Sequence, residues 1–399
     1  MITISPKYLF LAVWIVPLLG AKIFTSDILL KISVETSALI GFHIFLVFLC
    51  SSLFSILIKE KIQFDESCFF NTVKITVFQK RADQIFKTWL FLYLVNIIAS
   101  GGVPLAWLVT NNGKSYGDFG VPSLNGFCNM LRACCISAYY LLNLSDKCFQ
   151  NRRRNWYKIG IFIISAFGLE LSRGSGIVML LHPVGIHFLF KRFSIYDIIK
   201  GVLVFIGCLF AFGYFQILRY RDGDEIFNAY LKNSNFSEVE GVSEYFVPSI
   251  VYICIPIVNT ELNIQLAPYF KFEPFYSLTS ILPTFVRQLF VRNNDYGELI
   301  NDGNNASSYY IPFIRDFGAI GCGIVVSALL VLSFYIHARA RSGSAYYILI
   351  WPPIFMSLML SFFSLFFLSL IVLSYPLAVL WLIRGAVKQK NSKHETQNV

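Results

Sequence analysis

The sequence predicts an all-α polytopic membrane protein of about ten transmembrane helices, a number that re-entrant segments would raise. Three observations carry that prediction. The 399 residues are 56% hydrophobic and only 14% charged, with a mean hydropathy of +0.62. A chain so composed has more apolar surface than a soluble core can enclose. Apolar runs near twenty residues, the length that crosses a hydrocarbon core of about 30 Å, recur along it. Short charged clusters separate them, and their signs sort by side.

The predicted spans are 8–24, 37–58, 88–110, 121–144, 158–172, 175–190, 198–217, 317–336, 345–362 and 364–383. The first holds Pro17 and lacks a small-residue cleavage site, so it reads as a retained span and not a signal peptide. The orientation follows from DKCFQNRRRNWYK, Asp146 to Lys158, because a triple arginine in a short loop resists translocation. Alternation then puts KEKIQF with QKRADQIFK, KRFSIYDIIK, HARARSGS and the C-terminal tail on the same cytosolic side, and all are basic. Both termini come out cytosolic.

These spans divide the chain into an N-terminal bundle of about seven helices (1–217), a large outer loop (218–316), C-terminal helices (317–383) and a cytosolic tail (384–399). The loop carries seven Lys/Arg and twelve Asp/Glu, a net of −5, so the chain's +10 leaves +15 elsewhere. The basic excess is thus accounted for by topology, and nucleic acid is not implied as a partner. Within the loop, SEYFVPSIVYICIPIVNTELNI is apolar but interrupted by Pro248 and Pro256, which suits a re-entrant or interfacial helix. Nine cysteines lie almost wholly in spans or cytosolic turns, with Cys254 alone expected outside, and none has a metal-binding spacing. Neither a disulfide nor a metal site is predicted.

The chemistry-bearing residues concentrate at the outer face. Arg315 and Asp316 stand in YYIPFIRDFGAIGCGI, where a polar loop turns into an apolar run, and YGDFG at Tyr116–Gly120 echoes it. An aspartate at a helix start caps free N–H groups, a role that alone accounts for Asp316. The kinase meaning of DFG is excluded because no glycine-rich loop or HRD accompanies it. Arg173, Arg219, Arg221, Arg287 and Arg292 join Arg315 near that face. Guanidinia gathered at one depth suit a dianionic phosphate, since the planar fork binds oxygens in pairs and stays charged. Pairing with the loop's acids or with lipid headgroups is the alternative.

Arg132 lies near the middle of a predicted span, where a charge needs a partner or hydration. His43, His182 and His187 read as neutral side chains satisfied by neighbours. Outer-loop tyrosines, among them Tyr220, Tyr309 and Tyr310, fit an interfacial aromatic belt or a sugar-stacking surface. The sequons at Asn235 and Asn305 matter only in a glycosylating pathway, and Asn143 falls at a cytosolic helix end.

The layout resembles the bacterial O-antigen polymerases, the Wzy-type oligosaccharide repeat-unit polymerases. GVPSLNGFCNML, LELSRGSGIVMLLHP and ASSYYIPFIRDFGAIG carry the resemblance, together with the large loop before the last three helices. It implies a GT-C-like glycosyltransferase of the inner membrane with its active site facing the periplasm. The growing glycan on undecaprenyl pyrophosphate would pass to a lipid-linked repeat unit, without cofactor or metal. Partners would be the undecaprenyl-pyrophosphate-linked oligosaccharide, membrane lipids and a chain-length regulator. On this resemblance Arg132, Arg173, Arg219, Arg221, Arg287 and Arg292 would contact the pyrophosphate or lipid carrier. Arg315 would stabilise the leaving pyrophosphate. Asp316 and Glu170, each beside an arginine, would activate the acceptor hydroxyl or orient the arginines. Tyr220, Tyr309 and Tyr310 would meet sugar.

An O-antigen ligase shares the topology and donor, but is expected to place a histidine in the outer loop, and all five histidines lie elsewhere. A lipid-linked oligosaccharide flippase or other transporter would line a path connecting both faces with charge, whereas here charge gathers on one.

Overall fold

The computed structural model describes residues 5–24, 32–58, 67–110, 112–114, 118–145, 149–190, 247–269 and 308–387, with isolated positions between them. Helices make up nearly all of this, and the described residues contain no strand beyond a single bridge between Val73 and Val387. Three helical segments are long and apolar enough to cross a membrane: Val34–Leu57, Ile75–Thr110 and Tyr310–Arg341.

In chain order the helices are α1 (Pro6–Phe24), α2 (Val34–Leu57), α3 (Ser67–Thr72), α4 (Ile75–Ser100), α5 (Pro104–Thr110) and α6 (Leu124–Leu144). Then come α7 (Phe149–Ile163), a π-helical turn (Ile164–Leu169) and α8 (Arg173–Phe190). After these follow α9 (Val247–Leu266), α10 (Tyr310–Arg341), α11 (Ala345–Met359) and α12 (Leu370–Ile383).

Local chemistry explains several boundaries. Ser33 caps α2 by accepting from the Thr36 amide at 3.2 Å, with Glu35 in the first turn to complement the dipole. Gly101, at φ 72°, stops α4 in the left-handed conformation that costs glycine little. The predicted span 88–110 is therefore two helices, and α4 begins thirteen residues earlier because KRADQIFK is helical at the bundle's end. The last predicted start, 364, moves to Leu370, where Ser369 caps α12.

α6 is the central helix, buried without interruption from Met130 to Tyr139 and packed on α4, α7, α8 and α12. α10 packs on α2, and α9 on α1, while α11 bridges the two groups through α8, α10 and α12. The periphery is apolar: Ile320 is 85% exposed and Ile98 79%. Large exposed aliphatic side chains on helices of this length fit a lipid surround.

Three of the segments assigned to the basic side meet among the described residues. Asp83 binds Lys158 at 2.5 Å and also Arg154, joining QKRADQIFK to the triple-arginine segment. Lys74 N–H donates to Ala386 C=O at 2.7 Å, and Arg81 lies 4.7 Å from the Trp381 ring, which brings in the end of α12. Arg341 donates to Leu189 C=O at 3.2 Å, joining HARARSGS to the end of α8. The predicted span 198–217 lies largely outside the described residues.

Candidate functional site

The opposite end carries the described candidate residues. Arg132 and Glu170 form a buried bidentate ion pair, Nη1 to Oε1 at 2.8 Å and Nη2 to Oε2 at 3.1 Å. Arg132 is 1% exposed and Glu170 3%. Nη1 also donates to Ser165 Oγ at 3.0 Å and Nη2 to Asn129 Oδ1, while Nε finds no acceptor among the described residues. A charge this deep is tolerable because planar fork meets carboxylate and the remaining donors are mostly met.

The backbone around Glu170 is unusual. A π turn precedes it, closed by the Glu170 amide donating to Ser165 C=O at 2.9 Å. Leu171 then takes φ 52°, a left-handed value that a branched residue rarely adopts. π turns and such outliers cluster at functional sites, where surrounding structure enforces them. The site thus has three independent marks: a buried ion pair, a π turn and a strained residue, all within Ile164–Ser172.

The arginine that Glu170 meets among the described residues is Arg132, and both carboxylate oxygens are engaged by it. Arg173 starts α8 three residues on, and its side chain lies outside the described residues.

Helix α10 begins at Tyr310 with Tyr309 at the N-cap, and Asp316 stands just ahead of a kink that divides it. Its fully buried carboxylate accepts from the Ser277 amide at 2.7 Å and from the Ser277 hydroxyl, tying the outer segment to α10. Arg315 is half-buried beside it. Two residues later Gly318 breaks the helix at φ 67°, ψ −179°, a conformation essentially restricted to glycine. The glycine of RDFG therefore has a backbone reason that the sequence reading missed.

Tyr309 and Tyr310 are both fully buried; their rings lie 4.5 Å apart and pack on Trp14 at 5.4 and 5.1 Å. His43 Nε2 donates to Gly323 C=O at 3.2 Å, which leaves Nδ1 to accept from the Tyr310 hydroxyl at 2.9 Å. That is the satisfied neutral histidine the sequence predicts. His182 meets it only half-way: Nδ1 donates to Val178 C=O at 2.7 Å, while Nε2 is buried with no partner among the described residues.

Helix α9 covers the segment expected to be re-entrant or interfacial. Pro256 is accommodated inside twenty continuous helical residues, and the Cys254 side chain is buried. Its polar stretch NTELN holds a carboxylate that sequence reasoning passed over. Glu261 is fully buried and accepts from Ser33 N and Oγ at 3.0 and 2.9 Å, Thr36 Oγ1 at 2.5 Å and Gln265 Nε2 at 2.7 Å. Asn263 meanwhile exchanges two hydrogen bonds with the backbone of Glu298. No hydropathy signal marks these residues, because a polar patch in an apolar run reads equally as a loop.

Arg219, Tyr220, Arg221, Arg287 and Arg292 lie outside the described residues. Arg132 and Glu170 draw their hydrogen bonds from α6 and the π turn, whereas Asp316 and Arg315 sit on α10, so two separate anchors occupy this end. Among the described residues, no group of three His, Cys, Asp or Glu side chains converges in a metal-holding geometry. No protein-family model, curated protein or solved structure matches the chain.

Proposed function

We propose that this protein is an O-antigen polymerase of the Wzy type, a GT-C-like inner-membrane glycosyltransferase. It joins lipid-linked repeat units at the periplasmic face, and the basic end is the cytosolic one. The observation that carries this reading is the buried Arg132–Glu170 pair at the π turn, with Arg173 three residues on at the start of α8. A guanidinium fixed before substrate arrives is the element that stabilises a departing pyrophosphate without reorganisation. Arg315, on the turn held by Asp316 and Ser277, supplies the second cation at the same end.

The donor bond already holds the energy of transfer, so the protein's task is to position. The acceptor hydroxyl attacks the anomeric carbon of the growing chain, its proton passes to a base, and undecaprenyl pyrophosphate leaves carrying the bond electrons. Glu170 and Asp316 orient this machinery through their fixed partners.

The test uses the host bacterium with the gene deleted, then complemented with wild type or Arg315→Ala at matched expression, and reads lipopolysaccharide on a gel. Core bearing a single repeat unit after deletion, with no ladder restored by Arg315→Ala, is the expected result. Bare core with accumulated lipid-linked polymer would mean a ligase and would overturn the proposal.

A further inference from the structure

At the basic end, α7 presents a surface that the catalytic reading does not use. The three arginines of its opening turns divide in two. Arg154 turns to Asp83, as does Lys158 one turn on. Arg152 and Arg153 face away and, with Trp156 and Tyr157, line an open cavity of about 610 Å³. Arg153 stays on its own helix, its Nε donating to Tyr157 Oη at 3.2 Å and its guanidinium 5.6 Å from that ring. Among the described residues neither Arg152 nor Arg153 meets a carboxylate. Both also lie near the positive end of the α7 dipole, where cations are disfavoured until an anion neutralises them.

The spacing orders these groups for one kind of ligand. Residues 152 and 156, and 153 and 157, are four apart, so each arginine is one turn from an aromatic residue on α7, and Arg153 sits over the Tyr157 ring. Trp156 is 49% exposed and Tyr157 61%, and Trp156 also meets Tyr140 of α6 edge-on. Further along the face of Arg153 and Tyr157 comes Ile164, also exposed. Phosphate-binding cations, then amphipathic rings, then an aliphatic side chain is the order of chemistry along a phospholipid from headgroup to acyl chain. At 1.5 Å per residue, Ile164 lies roughly 17 Å from Arg153, about the depth of one leaflet.

We propose that Arg152, Arg153, Trp156 and Tyr157 form a binding site for an anionic phospholipid of the leaflet at the basic end, its phosphate on the two guanidinia and one acyl chain running past Ile164. The site stands whether or not the glycosyltransferase reading does.

The experiment is native mass spectrometry of the purified full-length protein. It is titrated with phosphatidylglycerol or with phosphatidylcholine of the same acyl chains. Wild type should retain one phosphatidylglycerol under conditions that strip phosphatidylcholine. Each basic side chain near an anionic headgroup contributes a factor of about five, so Arg152→Gln with Arg153→Gln should weaken retention roughly thirtyfold. Lys80→Gln, at an exposed lysine of the same end, should leave it unchanged. Equal retention of the two lipids by wild type would overturn the proposal, and that arm needs no variant to fold. So would an equal loss in Lys80→Gln, which would mean diffuse charge, or displacement of the lipid by inorganic phosphate, which would mean a soluble anion site.

Discussion

Removing one partner of the Arg132–Glu170 pair should cost far more than removing both. Glu170→Ala leaves a guanidinium that is 1% exposed with its two principal acceptors gone, and only Ser165 Oγ and Asn129 Oδ1 remaining. An uncompensated buried charge of this kind costs about 3–5 kcal/mol, and Arg132→Ala, which strands the carboxylate, should cost a similar amount. Arg132→Met combined with Glu170→Leu keeps the volume and removes both charges, so its stability should fall within about 1 kcal/mol of wild type. The apolar double variant should therefore be more stable than either single variant by about 2 kcal/mol or more. Unfolding by sodium dodecyl sulfate in mixed micelles, followed by circular dichroism, measures all four proteins. The same four, scored for the polysaccharide ladder, separate fold from function, because the apolar double variant should be folded yet inactive. Small additive losses from the two single variants would refute the reasoning, since they would mean that water already solvates both charges.

Gly318→Ala should lose about 1–3 kcal/mol, because alanine pays a steric cost at φ 67°, ψ −179° that glycine does not; Ala319→Gly is the comparison, and thermal melting in detergent reads both. Glu261→Leu strands the Ser33 amide and the hydroxyls of Ser33 and Thr36, at a cost of about 1–3 kcal/mol, whereas Glu261→Gln retains acceptor capacity and should lose less in the same melt. Asp83→Asn weakens a partly exposed three-way contact with Lys158 and Arg154, so its effect should be about 1 kcal/mol and should shrink in high salt.

Several helices were legible because lipid and water impose a pattern along the chain. Hydropathy located α1, α2, α6, α8, α10 and α11, and three of the basic clusters meet through Asp83, Lys74 and Arg81. What hydropathy conceals is which side of a helix faces the protein. Lipid tails are as apolar as a core, so Ile320, facing outward, and Tyr310, fully buried, carry no contrasting signal. That is why Tyr309 and Tyr310 read as surface aromatics. Partner identity was hidden for a different reason. Glu170 binds Arg132, 38 residues earlier, through a turn whose π geometry no composition announces. Ser277, the donor to Asp316, is likewise 39 residues away.

The π turn also fixes a bearing. Each residue of an α-helix advances the side chains by about 100° around the axis, so inserting one residue re-aims everything beyond it by more than a quarter turn. The wide turn at Ile164–Leu169 is such an insertion, and it lets α7 present Ile161 and Ile164 outward while delivering Glu170 inward to α6. The acid's direction is thus written in a residue count as much as in residue identities, and a family resemblance sought by matching letters alone would pass over it.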